Sequence, residues 1–151
     1  MLYPFFFQKK LGTYFTYQWE SSAHGMGNTF RDESGVIVGY AVPHRNITTF
    51  LDPSGKVLGY GESDWAANNH KTIYHLEPDN GIKFHSVSCN KHGNDSDIEL
   101  YHESHLLSIY HQKYLGGNTT ESKVEYTSYT LSLLENNKRP EDDIPIRRQH
   151  I

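Results

Sequence analysis

Cysteine is nearly missing from this chain: Cys89 is the single one in 151 residues. No intramolecular disulfide can form, and no CxxC pair is present to suggest a zinc or thiol-redox site. Long apolar runs are missing too. The one apolar stretch of note, Met1-Leu2-Tyr3-Pro4-Phe5-Phe6-Phe7, is short, and Lys9 and Lys10 follow it rather than precede it. That order and length fit neither a secretory signal nor a membrane-spanning helix. A cytoplasmic location and export without a recognisable signal both stay open. Charge of a single sign is lacking as well. With 14 basic and 18 acidic residues the net charge is −4, and no basic stripe with interleaved aromatics occurs. Nucleic acid is therefore not an expected partner, since its binding rests on neutralising phosphates. Nucleophile-elbow, phosphate-loop and H-E-x-x-H patterns are absent, so no catalytic residue is assigned and no cofactor is expected.

What the chain does have is aromatics, at 13%, including eleven Tyr. Tyr-rich and Thr-rich segments favour sheet because these side chains pack on a pleated surface. The length suits one domain. We place it at residues 1–135, followed by an extended tail at 136–151 carrying Pro140, Pro145 and mixed charges. Residues 11–20 read as a strand, with Phe15, Tyr17 and Trp19 on one face and Tyr14, Thr16 and Gln18 on the other.

The most informative feature is a repeat. Thr29-Phe30-Arg31-Asp32-Glu33-Ser34-Gly35-Val36-Ile37-Val38-Gly39-Tyr40 returns twenty residues on as Thr49-Phe50-Leu51-Asp52-Pro53-Ser54-Gly55-Lys56-Val57-Leu58-Gly59-Tyr60. Asp first and Gly fourth predict a four-residue turn in each copy, and Pro53 already holds the backbone angle such a turn needs. Gly39 inside a strand signals a bulge or a close backbone contact. Residues 72–84 form a looser third copy around Asn80-Gly81. Residues 29–60 resemble the bacterial tandem short β-hairpin repeats of T-x-F/Y-x-D-x-x-G type. That resemblance implies a sheet-like scaffold and transfers no catalytic residues.

Two later segments break the β pattern. Ser96-Asp97-Ile98-Glu99 reads as a capping box opening a helix over about 97–115, closed by Gly116-Gly117. Residues 123–134 read as strand, although Val124, Leu131 and Leu134 also fit a helix. The expected fold is mainly β (α+β): an antiparallel meander of about five to eight strands, as an open sheet or small barrel, with that one helix.

Ten histidines carry the chemical interest. On the expected helix, Glu99, His102 and Glu103 share a face and form a candidate metal half-site. His75 and His85 flank the third turn, between His70 and His92, and offer cross-strand ligands. Phe30, Tyr40, Phe50, Tyr60 and Trp65 recur at hairpin ends, as a core ladder or an aromatic ridge for a ligand. The function these features favour is a non-catalytic interaction or structural protein. It would present its hairpins to protein partners or its own copies, through open sheet edges, the apolar N-terminus and the tail. The alternatives are a small-ligand-binding barrel, or barrel-type enzyme, using His and Tyr side chains, and a metal-binding protein.

Overall fold

The computed structural model describes residues 4–64, 70–77, 83–92 and 95–135. Its architecture follows from the repeat turns. In the first, the Asp32 carboxylate accepts from the backbone N–H of Ser34 at 3.0 Å and of Val36 at 2.9 Å, and from the Ser34 hydroxyl at 2.8 Å. In the second, Asp52 does the same with Ser54 and Lys56. Gly35 and Gly55 donate back to the Asp32 and Asp52 carbonyls at 2.9 Å and stand at φ +89° and +95°, where a side chain would be strained. Both turns therefore close by themselves, within five residues, and both fold neighbouring strands together as the repeat predicts.

Ten antiparallel strands follow one another as a meander: β1 (Tyr14–Ser22), β2 (Gly25–Arg31), β3 (Ile37–His44), β4 (Ile47–Leu51), β5 (Val57–Asp64), β6 (His70–Leu76), β7 (Lys83–His92), β8 (Asp95–His102), β9 (His105–Gly116) and β10 (Thr119–Tyr126). Each pairs with its sequence neighbours, and β1 also pairs with β10, closing a barrel. The mainly antiparallel β class is as expected, with more strands than expected. The looser third copy is the β6–β7 hairpin; its turn lies outside the described residues, as do Trp65 and the tail 136–151.

The helix over 97–115 is not there. That span forms β8, a two-residue turn at Glu103-Ser104 and β9, and Gly116-Gly117 sits at the next hairpin rather than at a helix end. Gly117 and Asn118 both have positive φ, +59° and +64°, as a tight hairpin turn of matching twist requires. The misreading has a physical cause. Ile98 and Leu100 fit a two-residue period as well as a helical one, and buried Leu107, Ser108 and Tyr110 complete the inward lining only when β8 and β9 lie side by side. Helix does occur later: β10 runs to Tyr126, then α2 (Ser128–Glu135) begins. Thr127 caps it, its hydroxyl accepting the Thr130 N–H at 3.3 Å.

The lower half of the barrel, at the repeat-turn end, is packed with rings. A 3₁₀ turn (Pro4–Phe7) and α1 (Gln8–Leu11) carry Phe6 and Phe7 into it. Phe6 stacks on Phe50 at 4.5 Å and Phe7 lies 5.1 Å from Phe30. The two repeat glycines explain the fit. Gly39 pairs across strands with Phe30, and Gly59 with Phe50. A Cβ at Gly39 would collide with the Phe7 ring, and one at Gly59 with the Phe6 ring. Two repeats thus receive two phenylalanines. Each ring of this size contributes on the order of 1.5–3 kcal/mol by burial. The expected role of the apolar N-terminus in assembly meets a correction here: Phe6 and Phe7 are spent on the protein's own core.

Candidate functional site

The repeat aromatics part company in the barrel. Phe30 and Phe50 point inward and are fully buried, whereas Tyr40 and Tyr60, ten residues further along each repeat, point outward. Each outward ring meets an imidazole: His24 packs edge-on against Tyr40 at 4.9 Å, and His75 stacks on Tyr60 at 4.6 Å. His85 stacks on Tyr101 at 4.9 Å, also on the outer face. His75 and His85 are not cross-strand partners, since His75 faces Lys83 and His85 faces Ile73. Burial, and then the nearby Lys71 charge, hold His85 below the ordinary imidazole range. The side chains of His70 and His92 lie outside the described residues.

Strand geometry also separates the metal candidates. Glu99 points outward and accepts from the Tyr101 hydroxyl at 2.9 Å. His102 shares the inward parity of Ile98 and Leu100 and packs on Phe84 at 5.0 Å. Glu103 is exposed in the turn at φ +57°. The common helical face that motivated the half-site does not exist. Among the described residues no three metal-ligating groups converge.

The upper half of the barrel is different in kind from the ring-packed half. Many of its inward positions are small or polar, and several are paired side to side. Ser63 bonds Thr72 at 3.0 Å, Tyr74 bonds Ser86 at 2.8 Å, and the Gln112 amide donates to Ser122 at 3.2 Å. The Tyr17 hydroxyl donates to Gln112, and burial pushes this phenol far above its ordinary range. Above this layer, beside the β3–β4 turn, lies a cavity of about 200 Å³ lined by Trp19, Asn28, Ala41, Pro43, Arg45, Thr48 and Ser63.

Register explains why these residues meet. Trp19, Asn28 and Ala41 form one cross-strand row over β1, β2 and β3, and Pro43 pairs with Thr48 one layer up. The row beneath is Tyr17, Phe30 and Gly39, which floors the cavity. Pro43 costs no ladder bond of consequence at a strand end. Arg45 stands in the two-residue turn at φ +60°, a conformation in which glycine or asparagine is the unstrained choice. The lining is an apolar side of Trp19, Ala41 and Pro43 and a polar side of Asn28, Thr48, Ser63 and Arg45. Arg45 is the one charged residue among the described residues of the lining.

Sequence reasoning missed this site. Of its residues only Trp19 stood out, as part of a strand face. The others carry no motif, and no spacing in the chain relates them.

On the outer face, His111 of β9 sits between two carboxylates. Its Nδ1 lies 2.9 Å from Asp97 of β8 and its Nε2 3.0 Å from Glu125 of β10. The Glu125 bond, with Asp97 adding to it, raises the His111 pKa above the ordinary value despite some burial.

Comparison with protein-family models, with curated proteins and with solved structures returns no match for this chain.

Proposed function

We propose that this protein is a non-catalytic binding protein that holds a small molecule in the upper mouth of its barrel. The observation that carries this reading is the division of the lumen. Buried rings pack one half, while the other half keeps a cavity of about 200 Å³ lined by both apolar and polar side chains. Concave sites of that mixed character are where small ligands bind. At a liquid-water share of ~30 Å³ each, the space equals about seven waters. It suits a metabolite-sized molecule rather than a long acyl chain.

Fragment screening by protein NMR tests the reading. Shifts that cluster on Trp19, Ala41 and Thr48 support it, as does their loss in Ala41→Phe, which fills the cavity. A diverse fragment set at millimolar concentration that moves none of these resonances would refute it.

A second reading keeps the interaction or structural role, with protein partners or self-association. It is favoured by the outer-face ring pairs His24–Tyr40, Tyr60–His75 and His85–Tyr101. Closure changes its physics. Every described strand has two ladder partners, so among the described residues no sheet edge is left to pair with another chain, and a partner would have to dock on side chains. A strict monomer in light scattering at high concentration counts against self-association. Among the described residues no helix is long and apolar enough to cross a membrane. The outward positions of β8 to β10 include Asp97, Glu99, His111, Lys113, Glu121, Lys123 and Glu125. A barrel wall facing lipid needs an apolar band there.

A further inference from the structure

We infer that the mouth cavity selects a small aromatic monocarboxylate, with Arg45 recognising the carboxylate and Trp19 receiving the ring. This rests on the cavity being the ligand site, and it adds the ligand's chemistry.

Two observations and the shape of the guanidinium support the choice. Among the described residues of the lining Arg45 alone is charged, so the site offers positive charge in a protein of net charge −4. Among the described residues no carboxylate pairs with it: Glu20 is taken by Arg31, Glu62 faces His75, and Asp97 and Glu125 are taken by His111. Guanidinium is a planar fork that matches a carboxylate with two parallel hydrogen bonds.

The other end of the site is apolar. Trp19 is 39% exposed, an uncommon state for so large a ring that points inward from a strand. With Pro43 and Ala41 it supplies the apolar side of the lining, and an indole can stack on an aromatic ring. The Asn28 amide and Thr48 hydroxyl form no side-chain hydrogen bonds with described residues, so they are available to a ligand's polar atoms.

The test uses Trp65→Phe as background, which leaves Trp19 as the one tryptophan. Benzoate and phenylacetate are titrated beside their neutral counterparts benzamide and benzyl alcohol, by calorimetry and Trp19 fluorescence. The expected result is at least tenfold tighter binding of the acids, weakening with salt as a charge pairing does. Arg45→Gln should remove that preference, while Arg45→Lys keeps part of it. Arg45 is exposed, so these variants should fold; circular dichroism checks this. Equal affinity for acids and amides, or an acid preference that survives Arg45→Gln, overturns the inference and leaves the cavity reading standing. If none of the four probes binds, the inference also falls. The fragment screen on Trp19, Ala41 and Thr48 then decides separately whether the cavity binds anything.

Discussion

At the scale of single residues, the repeat is a device for placing two carboxylates and two glycines. Asp32 and Asp52 are exposed, yet hydrogen bonds from Ser34 and Val36, and from Ser54 and Lys56, hold both carboxyls below the ordinary value of 3.8. A folded-state pKa below the unfolded one stabilises the fold above the unfolded value, and the contribution vanishes as pH falls through the folded one. Thermal melts should therefore show Asp32→Ala/Asp52→Ala less stable than wild type at neutral pH, with the gap closing well below pH 3.8. A gap unchanged down the acid range would contradict this account of the turns. Gly39 serves a different end, room for Phe7. Gly39→Ala should cost about 1–3 kcal/mol by overpacking, and Phe7→Ala about 3–5 kcal/mol by leaving a hole. Because the same space is involved, the two losses should not add. In denaturant melts Gly39→Ala should be nearly neutral once Phe7 is Ala. Strict additivity would mean the ring does not occupy that space.

At the scale of elements, the three strands β8, β9 and β10 are tied on their outer face by His111. The groups facing it are Asp97 from β8, Glu125 from β10 and its direct cross-strand neighbour Lys123. A raised folded-state pKa means the clamp stabilises fully below the unfolded value of 6.5 and is lost as pH rises through the folded one. His111→Gln should be destabilising at mildly acidic pH and near neutral in effect at alkaline pH. A His111 titration midpoint at or below 6.5 by NMR would show that the carboxylates do not hold its proton. The effect should be modest, because the imidazole is 40% exposed and solvent screens the pair. The same strands show what sequence could and could not convey about elements. The Asp-to-Gly turns were legible because all their bonds lie within five residues. The span 97–115 was not, because its apolar positions satisfy two periods at once. Only pairing with β7 and β10 decides between them.

For the molecule as a whole, closure is the dominant event. Residues Tyr14 to Gln18 must meet Thr119 to Lys123, the most distant strands in the chain. Bringing ends so far apart together is entropically slow, and barrels dominated by non-local pairing fold in milliseconds to seconds. Stopped-flow refolding should fall in that range. Completion in microseconds would mean that closure does not limit folding. Closure also explains why the candidate site was unreadable in advance. Trp19, Asn28, Ala41, Thr48 and Ser63 belong to five strands, and only the shared register of a closed sheet gathers them around one cavity. The aromatics that sequence singled out were divided by the strand's two-residue period, Phe30 and Phe50 inward, Tyr40 and Tyr60 outward.

The amino-acid sequence by itself determined the β class, the repeat hairpins and the faces of the first strand. Each of these rests on bonds and alternations between near neighbours. The tertiary structure alone decided that the meander closes, that Phe6 and Phe7 fill its lower half, and that the upper half keeps its cavity. Those outcomes depend on contacts between residues far apart in the chain, and no local pattern encodes them.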